Sequence, residues 1–326
     1  ETFGNGLIEL TSRANLQLRG VSDASWPPLM AFLVEHQLVS DDPEAERQPQ
    51  LMLAPAWQKG DDTPTIARLL QARGSELAAM PGKVGIAIDA GKAPVLGDSA
   101  ADFRIERSTE GSLLVRADGY AQGTAVNDTE AGGWASGRMR RHTVPLPDWA
   151  PADTAPAAPG EKLALGEHGE GMVVGLPFGR VAAETLRESV SPTNGSQTSI
   201  SAVQVTPWRR LLLKDCDTLP AVDGLIRHNS DPRLAMDACP GAPSCEQASV
   251  ATQPLAEKLS GWVEGTVHIS GCSKGCARRA PVDVCLVGQA GRFNVVVNGG
   301  ADSTPIKTGL TESEVVGFLR KLSENS

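Results

Sequence analysis

The chain has 326 residues, with 30 Lys and Arg against 39 Asp and Glu, a formal charge of −9. Apolar residues make up 40% and charged residues 21%, the balance of a soluble globular protein. No run approaches the ~18–20 uninterrupted apolar residues of a membrane-spanning helix, and the acid excess argues against a nucleic-acid binder. The opening residues, Glu1 to Gly6, show no basic stretch followed by an apolar one, so no secretory signal is expected and a cytoplasmic protein is. A prior of ~100–200 residues per domain gives about two domains.

In chain order, Leu7–Leu18 alternates into Thr11 and carries Arg13 shortly after it. Trp26–Gln37 and Thr65–Met80 show the apolar spacing of helices, the second opening at Thr63-Pro64 as cap and first-turn proline. Val84–Asp89, Phe103–Arg107 and Gly111–Arg116 read as strands. Pro145–Gly160 holds five prolines and no apolar periodicity, so it reads as an extended linker. The basic cluster Arg138–His142 before it reads as a solvated face. Gly166–Gly171 has glycines at a suggestive spacing but no strand before it. It reads as a turn and not as a dinucleotide fingerprint.

Val173–Phe178 followed by Val181–Ser189 reads as strand, turn, helix. Ala202–Leu213 again alternates into a threonine, Thr206, followed by Arg209 and Arg210. The pattern parallels Leu7–Leu18, and the strands after Val84 parallel the Val267–Gly300 region. Two related lobes arranged about a pseudo-twofold follow from this weak repeat. The last helix is the clearest, Thr311–Leu322, with Thr311 as cap and Glu314 as its capping-box partner. Strands outnumber helices and connections are short, which predicts an α+β fold with mostly antiparallel strands.

All six cysteines lie beyond residue 215: Cys216, Cys239, Cys245, Cys272, Cys276 and Cys285. Without a secretory signal, thiols held for metal or chemistry are favoured over a disulfide framework. Cys239 and Cys245 are separated by five residues, Cys272 and Cys276 by three. Structural zinc prefers gaps of two to four residues in both halves of its site, whereas a [4Fe–4S] cluster accepts wider, unequal ones. Gly241, Gly271 and Gly275 let the backbone come close and aim N–H groups at sulfur. The bland alternative is four buried, unligated thiols. Cys285 sits in the apolar run Val282–Gly288 and, with Cys216, reads as structural.

The run His268–Gly288, with Ala238–Cys245 upstream, resembles the cluster segment of the sirohaem sulfite/nitrite reductase superfamily. Within it, Ser270-Gly-Cys-Ser-Lys-Gly-Cys-Ala277 is most similar to the precorrin-3B synthase family. Gly4–Val21 resembles the superfamily's Thr-x-Arg-x-x-x-Gln strand, and Met80–Asp89 resembles its lysine-bearing segment. There the reductases carry two active-site lysines one residue apart; here the positions are Lys83 and Gly85.

The resemblance implies a pseudo-twofold duplicated fold with ferredoxin-like half-domains and one cluster-bearing lobe. Residues 1–20 would end a first half-domain whose front is missing, and 21–144 would form the lobe without a cluster. After the linker at 145–160, residues 161–222 would form the second half-domain and 223–326 the lobe with the [4Fe–4S] cluster. The cluster ligands implied are Cys239, Cys245, Cys272 and Cys276, and the substrate-binding residues Arg13, Gln17, Lys83 and Arg209.

The family also implies a mononuclear non-haem iron, for whose ligands no spacing stands out among His36, His142, His168, His228 and His268. No individual catalytic residue is assigned. The reaction implied is oxygen-dependent hydroxylation of precorrin-3A at C20 with γ-lactone formation. Precorrin-3A is a tetrapyrrole rich in carboxylates, which an acidic protein must meet with locally gathered cations. Electrons would come from NADH through a separate reductase or a ferredoxin-type donor. A sirohaem-dependent sulfite or nitrite reductase is the first alternative. A non-catalytic tetrapyrrole-binding or electron-transfer iron–sulfur protein is the second.

Overall fold

Four β-sheets organise the chain in the computed structural model, which describes residues 1–43, 48–74, 84–126, 152–191, 200–218 and 221–323. Lys83, the cluster at 138–142 and the front of the proline-rich stretch lie outside the described residues. The expected mixture of strands and helices is present.

The first five-stranded sheet contains β3 (Gln50–Leu53), β4 (Gly85–Asp89), β5 (Phe103–Arg107), β6 (Leu113–Ala117) and β7 (Thr124–Val126), in that spatial order. β3, β4 and β5 are parallel; β6 and β7 return antiparallel. The second has β13 (Met236–Ala238), β14 (Val267–Ser270), β15 (Val282–Gln289), β16 (Arg292–Gly299) and β17 (Lys307–Leu310). It repeats the same order and the same directions. Across the four sheets most pairings are antiparallel, as expected, but each five-stranded sheet also holds parallel pairs, and parallel neighbours need a crossover. Two of the four crossovers carry a helix, α2 (Asp62–Ala72) between β3 and β4 and α4 (Gln253–Leu259) between β13 and β14; those between β4 and β5 and between β14 and β15 are loops.

Each helix covers one face of its sheet. Ile66, Ala67 and Leu70 of α2 pack on Ile86, Ile88, Phe103 and Ile105, the spacing that lays one apolar stripe on a sheet. Leu255, Ala256 and Leu259 of α4 join Val315 and Leu319 of α5 (Glu312–Ser323) over Val267, Ile269, Val284 and Leu286. α2 begins a turn-fraction earlier than expected, with Asp61 as N-cap residue, so Pro64 falls in its first turn, where its missing N–H is not needed. The capping box of α5 is present: the Thr311 backbone N–H donates to Glu314 across 2.8 Å, and the Glu314 N–H returns to Thr311 Oγ1 across 3.3 Å. Ala290 and Gly291, at φ 48° and 76°, make the tight reversal between β15 and β16, the geometry that matches strand twist in a two-residue hairpin.

Between the lobes lie two smaller antiparallel sheets. One runs β10 (Arg180–Ala182), β1 (Leu7–Leu10), β2 (Leu16–Leu18). The other runs β11 (Ala202–Val205), β12 (Arg210–Lys214), β9 (Gly171–Gly175), β8 (Gly166–His168). They share a core of Leu10, Val174, Val181, Leu211 and Leu213. The strand–turn–helix expected after Val173 is present as β9, a 3-10 turn at Pro177–Gly179, the short β10 and α3 (Ala183–Val190). Gly166–His168 is an edge strand paired with β9 and not part of a turn; only the residues after it reverse the chain. α1 (Trp26–Glu35) follows β2.

Residues 152–160 run extended and are docked on the first lobe. The Ala157 N–H reaches Arg107 O across 2.8 Å, the Gly160 N–H reaches Pro94 O across 2.8 Å, and Thr154 pairs with Gly123. Proline removes donors from such a stretch but leaves its remaining amides free to pair.

Two turns, one in each small sheet, share a hydrogen-bond pattern. The Thr11 N–H bonds Asn15 O (2.9 Å), and Thr11 Oγ1 accepts from the N–H groups of Arg13 (3.2 Å) and Asn15 (3.1 Å). The Thr206 N–H bonds Arg210 O (3.1 Å), and Thr206 Oγ1 accepts from Trp208 (3.3 Å) and Arg210 (3.2 Å). Ala14 and Arg209 hold equivalent left-handed positions, at φ 56° and 59°. Geometry thus pairs Arg13 with Trp208 and Ala14 with Arg209. The two arginines are not equivalents of each other.

Candidate functional site

The cysteine loops leave the same end of two adjacent parallel strands. β13 and β14 are in register Ala238↔Ile269, so Cys239 follows β13 directly and Cys272 follows β14 after Gly271. The loops interlock. The Gly271 N–H donates to Cys239 Sγ across 3.1 Å, and Gly271 O accepts from the Ser249 N–H across 3.0 Å. Within the first loop the Cys245 N–H bonds Gly241 O (2.9 Å), and the Ala242 N–H bonds Val250 O (2.9 Å). Gly271 has no room for a side chain: a Cβ there would stand 2.5 Å from Ala248 Cβ and 3.3 Å from Gly241 Cα. Close backbone approach is what brings an N–H to sulfur.

Cys239 is buried, Cys245 and Cys272 are half-buried, and Cys276 is exposed. Burial pushes the Cys239 thiol up, and the nearby Cys245 and Cys272 push it further, against the pull of the Gly271 and Gly241 N–H groups. Among the described residues no group of three or more His, Cys, Asp or Glu side chains is gathered closely enough to hold a metal ion. The donor chemistry fits an iron–sulfur cluster all the same. Soft thiols are carried by two loops that leave the same end of β13 and β14, and one of them already accepts a backbone N–H, as cluster sulfurs do. Cys216 and Cys285 are both buried.

Arg209 reaches the cysteine loop. Its guanidinium pairs with Asp237 and donates to Met236 O (3.1 Å) and to Ala277 O (3.4 Å), next to Cys276. Arg278 shares Asp237 from the other side, at 3.1 Å. Asp237 and Arg278 were not foreseen from the sequence; Arg278 was at least signalled by its place two residues after Cys276. Arg13 lies by the first lobe. Its Nη1 is 3.7 Å from where a Cβ on Gly85 would be, so the guanidinium uses room that a side chain at 85 would contest. Gln17 is exposed on β2, and its Oε1 accepts from Arg19 across 2.8 Å.

The two turns meet near Gly179, where a Cβ would be 3.2 Å from both Leu10 O and the Arg209 side chain. Trp208 and Ala14 pack together on Met52, Ala54 and Ala87 of the first lobe. Arg13 thus lies against β4 of the first five-stranded sheet and Arg209 against β13 of the second. A separate cavity of about 880 Å³ opens at the ends of β3 and β4, lined by Trp57, Asp61, Thr63, Asp89, Lys92 and Arg107 among others. Its buried Asp89 accepts from the Val95 (2.6 Å) and Leu96 (2.7 Å) N–H groups.

No protein-family model matches the chain. It is 28% identical to precorrin-3B synthase of Sinorhizobium sp, in an alignment covering 94% of this chain and 76% of that protein. It is 29% identical to the sulfite reductase [NADPH] hemoprotein beta-component of Xylella fastidiosa (strain 9a5c), over 46% of this chain and 32% of that one. Among solved structures, the NirA protein of Mycobacterium tuberculosis superposes with a TM-score of 0.63 at 18% identity, covering 99% of this chain and 76% of its own. Among the described residues no helix is long and apolar enough to cross a membrane. Along nearly its whole length the chain is thus similar in sequence to precorrin-3B synthase, and in fold to NirA.

Proposed function

We propose that the chain is a precorrin-3B synthase: an oxygen-dependent monooxygenase that hydroxylates precorrin-3A at C20, with closure of the ring-A acetate as a γ-lactone. One oxygen atom enters the product and the other leaves as water. Two electrons come from NADH through a separate reductase or ferredoxin-type donor, and the lactone closure adds no further atom. The reading is carried by one observation: the four thiols of Cys239, Cys245, Cys272 and Cys276 belong to loops at the same end of β13 and β14, in a chain similar to precorrin-3B synthase over 94% of its length.

Those four residues would hold a [4Fe–4S] cluster, which supplies electrons one at a time. A mononuclear non-haem iron goes with the same reading, with ligands unassigned. Arg13 and Arg209, with Lys83 and Gln17, would meet the carboxylates of the tetrapyrrole at the junction of the lobes, since a planar guanidinium engages a carboxylate through two hydrogen bonds. Arg209, held by Asp237, positions the loop carrying Cys276 as well. The division into half-domains 1–20 and 161–222, lobes 21–144 and 223–326 and a linker at 145–160 is part of the proposal. Its support is the repeated strand order and the two matching threonine turns.

Anaerobically purified protein tests this first by iron, acid-labile sulfide and an optical spectrum. A broad absorption shoulder without sharp bands fits the proposal; Soret and α-bands would instead indicate sirohaem and a sulfite or nitrite reductase. Reduced protein is then given precorrin-3A under isotopically labelled oxygen. One labelled atom in the product is expected. Its absence with an intact cluster would leave a tetrapyrrole-binding or electron-transfer protein.

A further inference from the structure

The face of the second sheet turned away from α4 and α5 carries a row of chemistry. The registers Asp237↔His268 and His268↔Cys285 set three side chains abreast on one face, because residues alternate between faces along a strand. Their neighbours Ala238, Ile269 and Leu286 point the other way, into the helical core. His268 is fully buried, at 0% exposure. Its Nδ1 lies 3.6 Å from Cys285 Sγ, while its Nε2 is buried with no hydrogen-bond partner. A buried ring nitrogen without a partner asks for an explanation.

The ring's surroundings supply one. Burial, reinforced by the charges of Arg209 and Arg278 and opposed by Asp237, lowers the pKa of His268 to about 4, so the ring is neutral. Burial lifts Cys285 to about 12, with Asp302 adding to it, so its thiol keeps its hydrogen. A neutral imidazole has one donor and one acceptor. The tautomer with its proton on Nε2 is the one in which Cys285 S–H donates to Nδ1. Gly275, the residue before Cys276, roofs the ring: a Cβ there would stand 3.8 Å from His268 Cε1.

We propose that His268 is a positioning residue for the centre that the cysteine loops would hold, its Nδ1 accepting from Cys285 and its Nε2–H available to donate to a sulfur of that centre. A donor aimed at cluster sulfur stabilises the more negative, reduced state and so raises the reduction potential. The proposal rests on the cluster reading above and goes beyond it.

The test uses the iron-loaded protein, prepared without air. Iron and sulfide are measured alongside the cluster potential, and pulsed electron paramagnetic resonance of the reduced protein is recorded in H2O and D2O. His268→Leu is expected to retain iron and sulfide, to shift the potential negative, and to lose one exchangeable-proton coupling present in the unsubstituted protein. His268→Gln, which keeps a donor, is expected to recover part of the shift. Full iron with an unchanged potential and an unchanged proton coupling in His268→Leu would overturn the assignment. Should that variant fail to fold, the unsubstituted protein labelled with 15N-histidine decides: coupling to one imidazole nitrogen supports the proposal, and none overturns it. Unsubstituted protein free of iron and sulfide would instead overturn the cluster reading on which the assignment rests.

Discussion

The backbone N–H of Gly271 donates to Sγ of Cys239 across 3.1 Å, joining the two cysteine loops directly. Gly271→Ala places a methyl group 2.5 Å from Ala248 Cβ, so one loop must yield. Overpacking of this kind costs about 1–3 kcal/mol. The variant is expected to unfold at lower denaturant concentration and to retain less iron than the unsubstituted protein. Equal stability and equal iron would show that the loops are not interlocked as described.

Cysteine substitutions separate ligands from core. Cys272→Ala is expected to lose essentially all bound iron and sulfide, since a cluster needs its full set of thiolates. Cys285→Ala removes a fully buried thiol from the apolar group around Val287 and Val296. It is expected to cost stability, on the order of 1 kcal/mol, while iron content stays unchanged. Elemental analysis and urea unfolding of both proteins check the contrast.

The two arginines should fail differently. Arg13→Ala is expected to weaken precorrin-3A binding about 10- to 100-fold, the equivalent of one charge-assisted hydrogen bond, with iron content intact. Arg209→Ala leaves Asp237 with Arg278 as its remaining ion-pair partner. It is expected to cost about 1–3 kcal/mol of stability as well as affinity. Titration calorimetry and thermal unfolding distinguish the two; iron loss in Arg13→Ala would place that residue with the metal centre.

Asp89 gives the stability a pH dependence of known sign. Burial raises its pKa from 3.8 to about 6, helped by the charge of Glu106 and opposed by the Leu96 and Val95 N–H groups. The folded protein therefore holds a proton that the unfolded chain has released. The contribution is full below pH 3.8 and is lost as pH rises through 6, a change of about 3 kcal/mol at most. Asp89→Asn keeps an acceptor for both N–H groups and does not ionise, so it is expected to be the more stable protein at pH 7 and to match the unsubstituted one near pH 4. His268 works the other way: its pKa falls from 6.5 to about 4, so its contribution is lost on acidification through that window. In Asp89→Asn the opposing slope is removed, and stability should rise plainly between pH 4 and 6.5. Denaturant midpoints across that range are the measurement.

Much of this protein is written locally. The capping box at Thr311 and Glu314, the stripe of α2 and the reversal at Ala290–Gly291 are each set by a few adjacent residues, because capping, amphipathicity and turn geometry act over one or two turns of chain. The cysteine spacing likewise pointed to the metal chemistry without any coordinates. Strand direction did not follow from short range. Parallel pairing of β13 with β14 depends on a crossover through α4, so the alternation of apolar residues in either strand is silent about it. The sequence showed arginine shortly after a threonine in both segments without pairing the residues; the folded turns match Arg13 to Trp208, because equivalence is fixed by hydrogen bonds to Thr11 and Thr206 and not by residue type. In the sequence His268 stood out only as lying near the cysteines, with no spacing that gave it a role. Register across three strands, a property of the assembled sheet alone, is what sets it between Asp237 and Cys285 with one nitrogen still unpaired.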